Sequence, residues 1–276
     1  MSEKFCFCTL AVGNRYRTHA RMLANDIQQH SPATSFIVLT DQPTDFEEYA
    51  HVIAVKHRLQ SVQGYHDKRC VLEKALTLFD TCVYLDSDMR ILGAVPEGME
   101  WLPGITARTG CNILQHNSSS SQRRALPVIN QVATKLDINL QETLWFHEFM
   151  FAVKKQDGAE VEFFKFWQKI SYFFEKQGIY GAEGNVMGLA ATLSGLNVRF
   201  DSEDRFPFFK DNIEKIRIKK GQSNLEEKQI YFDIHKNIEY PKRSILKKAI
   251  DKLIKKIVFL YRLFRLRTVQ KQNLDF

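Results

Sequence analysis

The sequence lacks a cysteine framework, a low-complexity linker and a long apolar run. Its five cysteines form no CxxC pair and are odd in number. With no secretory signal segment at the N-terminus, this cysteine usage points to a reducing cytosol. The absence of any run of about 18 apolar residues predicts that no helix spans a membrane. With no internal repeat either, the 276 residues are expected to form one large domain or a domain with an appendage.

Positive charge is concentrated near the C-terminal end. From Lys242 onward, eleven basic residues stand against Asp251 and Asp275, a net charge of +9. Because the whole chain carries +7, residues 1–241 carry a net charge of −2. The high isoelectric point therefore belongs to the tail. This weakens any interpretation of the whole protein as a nucleic-acid binder, and no nucleic-acid partner is expected.

Residues 242–268 have the pattern of a basic amphipathic helix, which is expected to follow a main domain over residues 1–240. The apolar positions are Leu246, Ile250, Leu253, Ile257, Leu260, Tyr261 and Phe264. Lysine and arginine fill much of the opposite face, a combination that suits an anionic membrane surface. The alternative is a helix packed on the main domain with its lysines solvated. The pattern predicts a cytoplasmic protein held peripherally on the inner face of the membrane.

Strands alternate with helices over the first 90 residues. We expect strands over 4–12, 36–40, 51–55 and the run ending at Leu85, with helices around 20–27 and over 68–78. This alternation predicts an α/β fold with a Rossmann-like parallel sheet. The second half is less regular. We expect strands over 148–153, 197–200 and 230–234, helices over 161–174 and 183–193, and a loop-rich stretch over 201–228.

The most informative motif is Asp86-Ser87-Asp88, which closes the apolar run Val83-Tyr84-Leu85. Such a run is typical of a buried strand, so two carboxylates at its end are costly unless something offsets them. Open α/β sheets bind ligands at the carboxyl ends of their strands. Two oxygen donors one residue apart suit a divalent cation that keeps sites open for phosphate oxygens. The alternative is an ordinary turn, since Asp and Ser are common turn residues.

Five segments between residues 4 and 240 carry a resemblance to a known family: TLAVGNRY, FIVLTD, KRCVLEKALTLFDTCVYLDSDMRIL, GAEGNVMGLAA and IYFDIH. Their order resembles the glycosyltransferases of the GT-A fold, and is closest to the retaining family that includes glycogenin and bacterial lipopolysaccharide galactosyltransferases. The chain departs from that family at Glu183-Gly184, where Asp-Gln is usual. The lysine motif after the late histidine is only loosely matched by Lys236. The resemblance implies an α/β nucleotide-diphospho-sugar transferase domain with a mixed central sheet.

The resemblance also implies an activity and a metal. A hexose would move from a nucleotide-diphosphate sugar, with a UDP-sugar favoured, to a glycan or lipid-linked acceptor. Mn²⁺ or Mg²⁺ would neutralise the departing diphosphate without proton transfer. The implied metal ligands are Asp88 and His235, with Asp86 shared between the metal and the ribose. A lone histidine such as His235 is otherwise more often structural.

The implied nucleotide-binding residues are Ala11, Val12, Asn14, Tyr16, Thr40, Asp41, Lys68 and Asp86. Tyr16 would stack on the base, Asp41 would face the base or ribose, and Lys68 would reach the diphosphate. Each has a structural alternative. Tyr16 is also suited to packing on the first helix, Asp41 to starting a turn, and Lys68 to a solvated helix end.

Glu148 and Glu183 are the candidate catalytic carboxylates on the acceptor side. In an inverting enzyme one of them would act as base on the acceptor hydroxyl, which needs direct hydrogen-bond reach. In a retaining enzyme the same carboxylate would hold the acceptor or stabilise an oxocarbenium-like transition state. The alternative for Glu183 is a helix N-terminal charge favoured by the helix dipole.

Two other functions fit part of the pattern. Phosphatases and phosphotransferases of the haloacid dehalogenase type also carry DxD after a strand. They usually have a small pair such as Gly-Thr after the second aspartate, where this chain has Met89-Arg90. A membrane-associated nucleotide-sugar binding protein without turnover would keep Asp86 and Asp88 but lack a productive acceptor site, and Glu183-Gly184 leaves room for that function.

Overall fold

The computed structural model describes residues 5–120 and 122–273, with no description of the side chains of residues 245 and 269–273. The strands are β1 (Phe5–Ala11), β2 (Ser35–Thr40), β3 (Val52–Lys56), β4 (Thr81–Leu85), β5 (Arg90–Ile91), β6 (Gly104–Ala107), β7 (Gly110–Asn112), β8 (Leu144–Phe146), β9 (Met150–Lys154), β10 (Val198–Phe200) and β11 (Phe208–Phe209). The helices are α1 (Asn14–His30), α2 (Lys68–Leu76), α3 (Ile113–His116), α4 (Leu126–Leu136), α5 (Ala159–Lys176), α6 (Glu183–Ser194), α7 (Asp211–Lys219), α8 (Leu225–Glu239) and α9 (Ile245–Asn273).

The central sheet has seven strands in the order β10-β6-β9-β4-β1-β2-β3. All neighbouring pairs are parallel except those of β9, which runs antiparallel to both β4 and β6. Leu85 at the end of β4 therefore lies opposite Met150 at the start of β9. The α/β class and the mixed sheet are confirmed. The sheet edge at which β4 ends is also the edge at which β9 begins.

Helices cover both faces of this sheet, as expected for strands that are apolar on both sides. Along β1, Cys6 and Cys8 join the core shared with α2, α5 and α6, while Phe7 joins the core shared with α1. Buried phenylalanines occur in both cores, and Trp167 of α5 is fully buried. The core is therefore rich in aromatic side chains.

Helix α6 lies unusually close to β8. A Cβ atom at Gly188 would lie 2.0 Å from the carbonyl oxygen of Leu144, and one at Gly184 would lie 2.4 Å from that of Phe146. The helix is entered through Ala182, which adopts a left-handed conformation with φ of 65°. Two glycines one turn apart thus set how deeply the N-terminus of α6 enters the sheet edge.

Two predictions about the second half are wrong. The strand expected over 230–234 belongs to α8, and the stretch 201–228 contains β11 and α7 as well as loops. The Asn224 side chain caps α8 by accepting a hydrogen bond from the Glu226 amide. Ile230 is 62% exposed, so the short apolar run lies on a surface helix. A run of that length does not distinguish a strand from a helix by periodicity.

Helix α9 packs on the rest of the chain through its C-terminal half. Arg265 donates hydrogen bonds to the carbonyl oxygens of Leu59 and Gln60 at 2.7 and 2.6 Å. Leu266 is buried, and the ring of Phe259 lies edge-on to Tyr180 at 5.3 Å. None of the described helices combines the length and the apolar character that crossing a membrane requires.

Candidate functional site

A cleft of about 430 Å³ opens at the sheet edge where β4 ends and β9 begins, and we call it the central cleft. Among the residues predicted from the sequence, it is lined by Val12, Tyr16, Lys68, Asp86, Asp88, Glu148 and Glu183. These side chains come from the first strand-to-helix turn, α2, the end of β4, the segment before β9 and the start of α6. The cleft therefore brings together residues from both halves of the chain.

Asp86 and Asp88 are held by a turn at the end of β4. The Asp86 amide donates to the Phe149 carbonyl at 2.9 Å, which ties the turn to the start of β9. The Met89 amide donates to the Asp86 carbonyl at 3.0 Å and closes the turn. The turn anticipated as an alternative is present, and both carboxylates line the cleft, with 22% and 23% of the side chains exposed.

Two lysines offset the charge of these carboxylates. Lys68 Nζ lies 3.0 Å from Asp86 Oδ1, and Lys210 Nζ lies 3.0 Å from Asp86 Oδ2 and 2.5 Å from Asp88 Oδ1. Burial alone would raise the pKa of each carboxyl, but the lysines outweigh it and hold the pKa of both Asp86 and Asp88 below the ordinary value. Both aspartates are therefore ionised at neutral pH.

Lys210 was not predicted from the sequence. It follows β11, and the pairing of Phe209 with Arg90 in β5 brings it beside the aspartate turn. Each of these strands has only two residues. The apolar pair Phe208-Phe209 is the part of this polar stretch that forms β11. Two apolar residues do not indicate which strand they will pair with.

His235 approaches Asp88 from α8, with Nε2 3.5 Å from Asp88 Oδ2. His19 of α1 and Glu239 of α8, neither of them predicted, lie next to it. His19 Nε2 is 3.2 Å from Glu239 Oε1, and the potential ligand atoms of the three residues lie within 4.8 Å of one another. His235 and Glu239 share one face of α8 because they are four residues apart. We call Asp88, His19, His235 and Glu239 the histidine cluster.

Glu183 and Glu148 lie across the cleft from the histidine cluster. Glu183 is buried at the start of α6, 3.3 Å from Lys68 Nζ. The Glu148 side chain is a quarter exposed, and its backbone carbonyl accepts a hydrogen bond from Lys68. Burial and the negative charge of Glu183 raise the pKa of Glu148 to about 7. A carboxyl with this pKa exchanges protons readily at neutral pH.

Tyr16 lines the central cleft, and the Arg15 guanidinium lies 4.3 Å above its ring and donates to its hydroxyl. The stacking face of the ring is thus shared with a cation. Asp41 accepts a hydrogen bond from the Gly13 amide at 2.9 Å and pairs with Arg17 at 2.7 Å. These contacts hold the turn between β1 and α1, a structural role that differs from the turn start anticipated as the alternative.

Some predicted residues are not at the cleft wall. Thr40 is fully buried at the end of β2, where its hydroxyl accepts from the Gln42 amide. The described lining of the central cleft does not include Ala11, Asn14, Thr40, Asp41 or His235. His235 instead contacts the cleft indirectly, through Asp88.

The arrangement gathers two ionised aspartates, two lysines, two histidines and a carboxyl that titrates near neutrality. Such a concentration of charged and titratable groups in one cleft is typical of a functional site. The chain matches no family model, and no curated protein matches its sequence.

Proposed function

We propose that this chain is a glycosyltransferase of the GT-A type, which moves a hexose from a nucleotide-diphosphate sugar, UDP-sugar favoured, to a glycan or lipid-linked acceptor. The observation that carries the proposal is the meeting of Asp86, Asp88, Lys68 and Lys210 with Glu148 in one cleft. The cleft lies at the carboxyl end of parallel strands, where α/β proteins bind nucleotides. The family resemblance of the segment over 68–92 supports the same function.

Lys68 and Lys210 supply the positive charge at the donor end. Breaking a sugar–phosphate bond leaves negative charge on the diphosphate, and preorganised cations lower the barrier most where charge develops. Both lysines are nearly buried, and paired aspartates raise the pKa of each, so their charge persists at neutral pH. Asp86 lies between them and is suited to orient an ammonium group or a ribose hydroxyl.

The residues present fit a divalent cation, since Asp88 lines the cleft and its Oδ2 atom faces the His235 imidazole at 3.5 Å. Bound there, Mn²⁺ or Mg²⁺ would act as a Lewis acid toward the phosphate oxygens. The protein's own contribution is to hold Asp88 ionised and to orient His235 through α8.

Glu148 serves the acceptor end. In an inverting reaction its carboxylate takes the proton of the acceptor hydroxyl, and in a retaining reaction it holds that hydroxyl in place. Glu183 is paired with Lys68 and fixes the ammonium group between the donor and acceptor ends. Glu183 thus acts through Lys68, whereas the Glu148 carboxylate acts on the acceptor directly.

The test is a panel of UDP- and GDP-sugars, read by thermal shift with and without Mn²⁺ and by release of free nucleotide. At least one donor should stabilise the chain, and Asp88→Asn should abolish the shift. Asp80→Asn, on an exposed pair with Lys155, is the matched control. A chain that no nucleotide-sugar stabilises would overturn the proposal. Stabilisation without nucleotide release, with any acceptor or with water, would favour a binding protein without turnover.

We also propose that α9 holds the chain on an anionic membrane, at the cytoplasmic face. Its apolar residues Leu246, Ile250, Leu253, Ile257, Leu260 and Phe264 are between 48% and 71% exposed. The helix packs on the body through Phe259, Arg262 and Leu266, which lie on the opposite side. The apolar stripe therefore faces away from the body, while Lys248, Lys252 and Lys255 lie on the opposite face of the helix. A lipid-linked acceptor would be delivered at such a surface.

A further inference from the structure

The position between Asp86 and Asp88 is already taken by an ammonium group. Lys210 Nζ contacts one oxygen of each carboxylate, and Lys68 takes the second oxygen of Asp86. A dication placed between the two aspartates would meet both lysines at close range and be repelled by them. The fourth oxygen, Asp88 Oδ2, has no lysine and instead faces His235 Nε2 at 3.5 Å.

Behind that oxygen the histidine cluster presents nitrogen and oxygen donors at distances near those of a coordination shell. Two ligands at about 2.1 Å from one tetrahedral metal lie about 3.4 Å apart. His19 Nε2 and Glu239 Oε1 are 3.2 Å apart, and the ligand atoms of His19, His235 and Glu239 all lie within 4.8 Å. Asp88 adds a fourth donor beside His235, with its Oδ2 atom 3.5 Å from His235 Nε2.

Charged partners lie on the outer side of two of these ligands. Arg15 holds the other oxygen of Glu239 at 2.8 Å, which leaves Oε1 directed at His19. Asp211 Oδ2 lies 4.0 Å from His235 Nδ1, on the far side of the ring from Asp88. Carboxylates beside the non-ligating nitrogen are a regular feature of histidine metal sites.

We infer that Asp88, His19, His235 and Glu239 form a transition-metal site, with the ion on the histidine side of Asp88 and Lys210 in the position between the aspartates. Two imidazoles and two carboxylates suit Zn²⁺, Co²⁺ or Mn²⁺ better than Mg²⁺ or Ca²⁺. Asp88 and Glu239 both line the central cleft, so an ion there is reached from it. Only the catalytic use of this metal rests on the proposed function, since binding needs no donor.

The test uses the full chain stripped with EDTA and reloaded with Zn²⁺, Mn²⁺ or Co²⁺. Dialysis followed by elemental analysis gives the stoichiometry, and the visible spectrum of the Co²⁺ form reports nitrogen and oxygen ligation. We expect one ion per chain. His19→Gln and Glu239→Gln, which lie on different helices, should each weaken binding at least about tenfold. His30→Gln on α1 and Glu227→Gln on α8 are the matched controls and should bind as the wild type does.

Asp86→Asn separates this site from one between the aspartates. With the ion in the histidine cluster, Asp86→Asn should bind it within about twofold of the wild type. Loss of the ion in Asp86→Asn with retention in His19→Gln and Glu239→Gln would overturn the inference, as would a wild type that binds no ion. Circular dichroism of each variant checks that it is folded. A chain that binds metal but no nucleotide-sugar would overturn only the proposed function.

Discussion

Five charged side chains form a network of ion pairs at the floor of the central cleft. Lys68 is only 8% exposed and pairs with Asp86 and Glu183, and Lys210 joins Asp86 to Asp88. Taking such charges out of water costs free energy that only their partners offset. The group is stable as a set, and any member left alone is a buried, unpaired charge.

Lys68→Met should therefore destabilise the chain strongly. Removal of one partner from a buried pair costs about 3–5 kcal/mol, because Asp86 and Glu183 would keep their charge with less compensation. Lys155→Met breaks an exposed pair with Asp80 at a similar distance, 2.7 Å, and should cost under about 1 kcal/mol. Urea denaturation of both variants measures the difference. Equal midpoints would contradict the electrostatic role assigned to Lys68.

Glu148 should set the acid limb of the pH–rate profile for hexosyl transfer in an inverting reaction. Its pKa is raised to about 7, and a base must be ionised, so kcat/KM should rise with pH through that value. Glu148→Gln should lose about 100-fold or more in rate together with this limb. The exposed Glu142→Gln is the control. A limb that persists in Glu148→Gln would assign the titration to another group.

Glu175 should make the fold less stable as pH rises. It is buried on α5, where burial raises its pKa to about 8, although one oxygen accepts from the Val62 amide. The folded pKa lies above the unfolded value, so stability is full below about pH 4.5 and declines up to about pH 8, by a few kcal/mol in all. Glu175→Gln should flatten that decline in urea midpoints, whereas the exposed Glu162→Gln should not.

At the scale of elements, helix α6 depends on its glycines for its position. Gly188→Ala would place a methyl group 2.0 Å from the Leu144 carbonyl oxygen, so the helix must shift away from β8. We expect a loss of about 1–3 kcal/mol. Gly181→Ala is the control, because the nearest atom to its added Cβ is a Glu183 oxygen at 3.8 Å. Thermal or urea midpoints measure both, and a Gly188→Ala chain as stable as the wild type would contradict the packing described.

The elements that were predictable are those where pattern and packing agree. Strands β1, β2 and β4 and helices α1 and α2 have apolar runs or periodic apolar faces whose burial in the structure follows the sequence pattern. Helix α8 was wrongly predicted as a strand because none of its residues is buried and its start depends on the Asn224 cap. Apolar sequence patterns predict which residues are buried, so they give little information about a helix without buried residues.

Some residues of the candidate site could be predicted from the sequence and others could not. Asp86, Asp88 and Lys68 border a strand or head a helix, so their neighbourhood was predictable. Lys210 was missed because it reaches the site through the pairing of two short strands. His19 was missed because a histidine on the inner face of a helix is indistinguishable, in sequence, from one that merely packs there.

For the whole molecule, the direction of the α9 stripe decides what the chain binds. Leu253→Gln with Ile257→Gln should reduce cosedimentation with phosphatidylserine-containing vesicles at least about tenfold, since both side chains would enter the bilayer interface. Leu102→Gln removes a similarly exposed leucine from the body and should change nothing. Vesicle binding that survives the double substitution would contradict the membrane proposal. Concentration-dependent dimers by light scattering would assign the stripe to a second copy.

The distance along the chain between Asp88 and Lys210 has a consequence for synthesis. They are 122 residues apart, and the two aspartates leave the ribosome long before the lysine does. Until β11 pairs with β5, Lys68 is the only lysine of the pair beside the two carboxylates at the end of β4. Water must solvate these carboxylates until Lys210 arrives. The floor of the cleft is therefore among the last parts of the chain to lose its hydration.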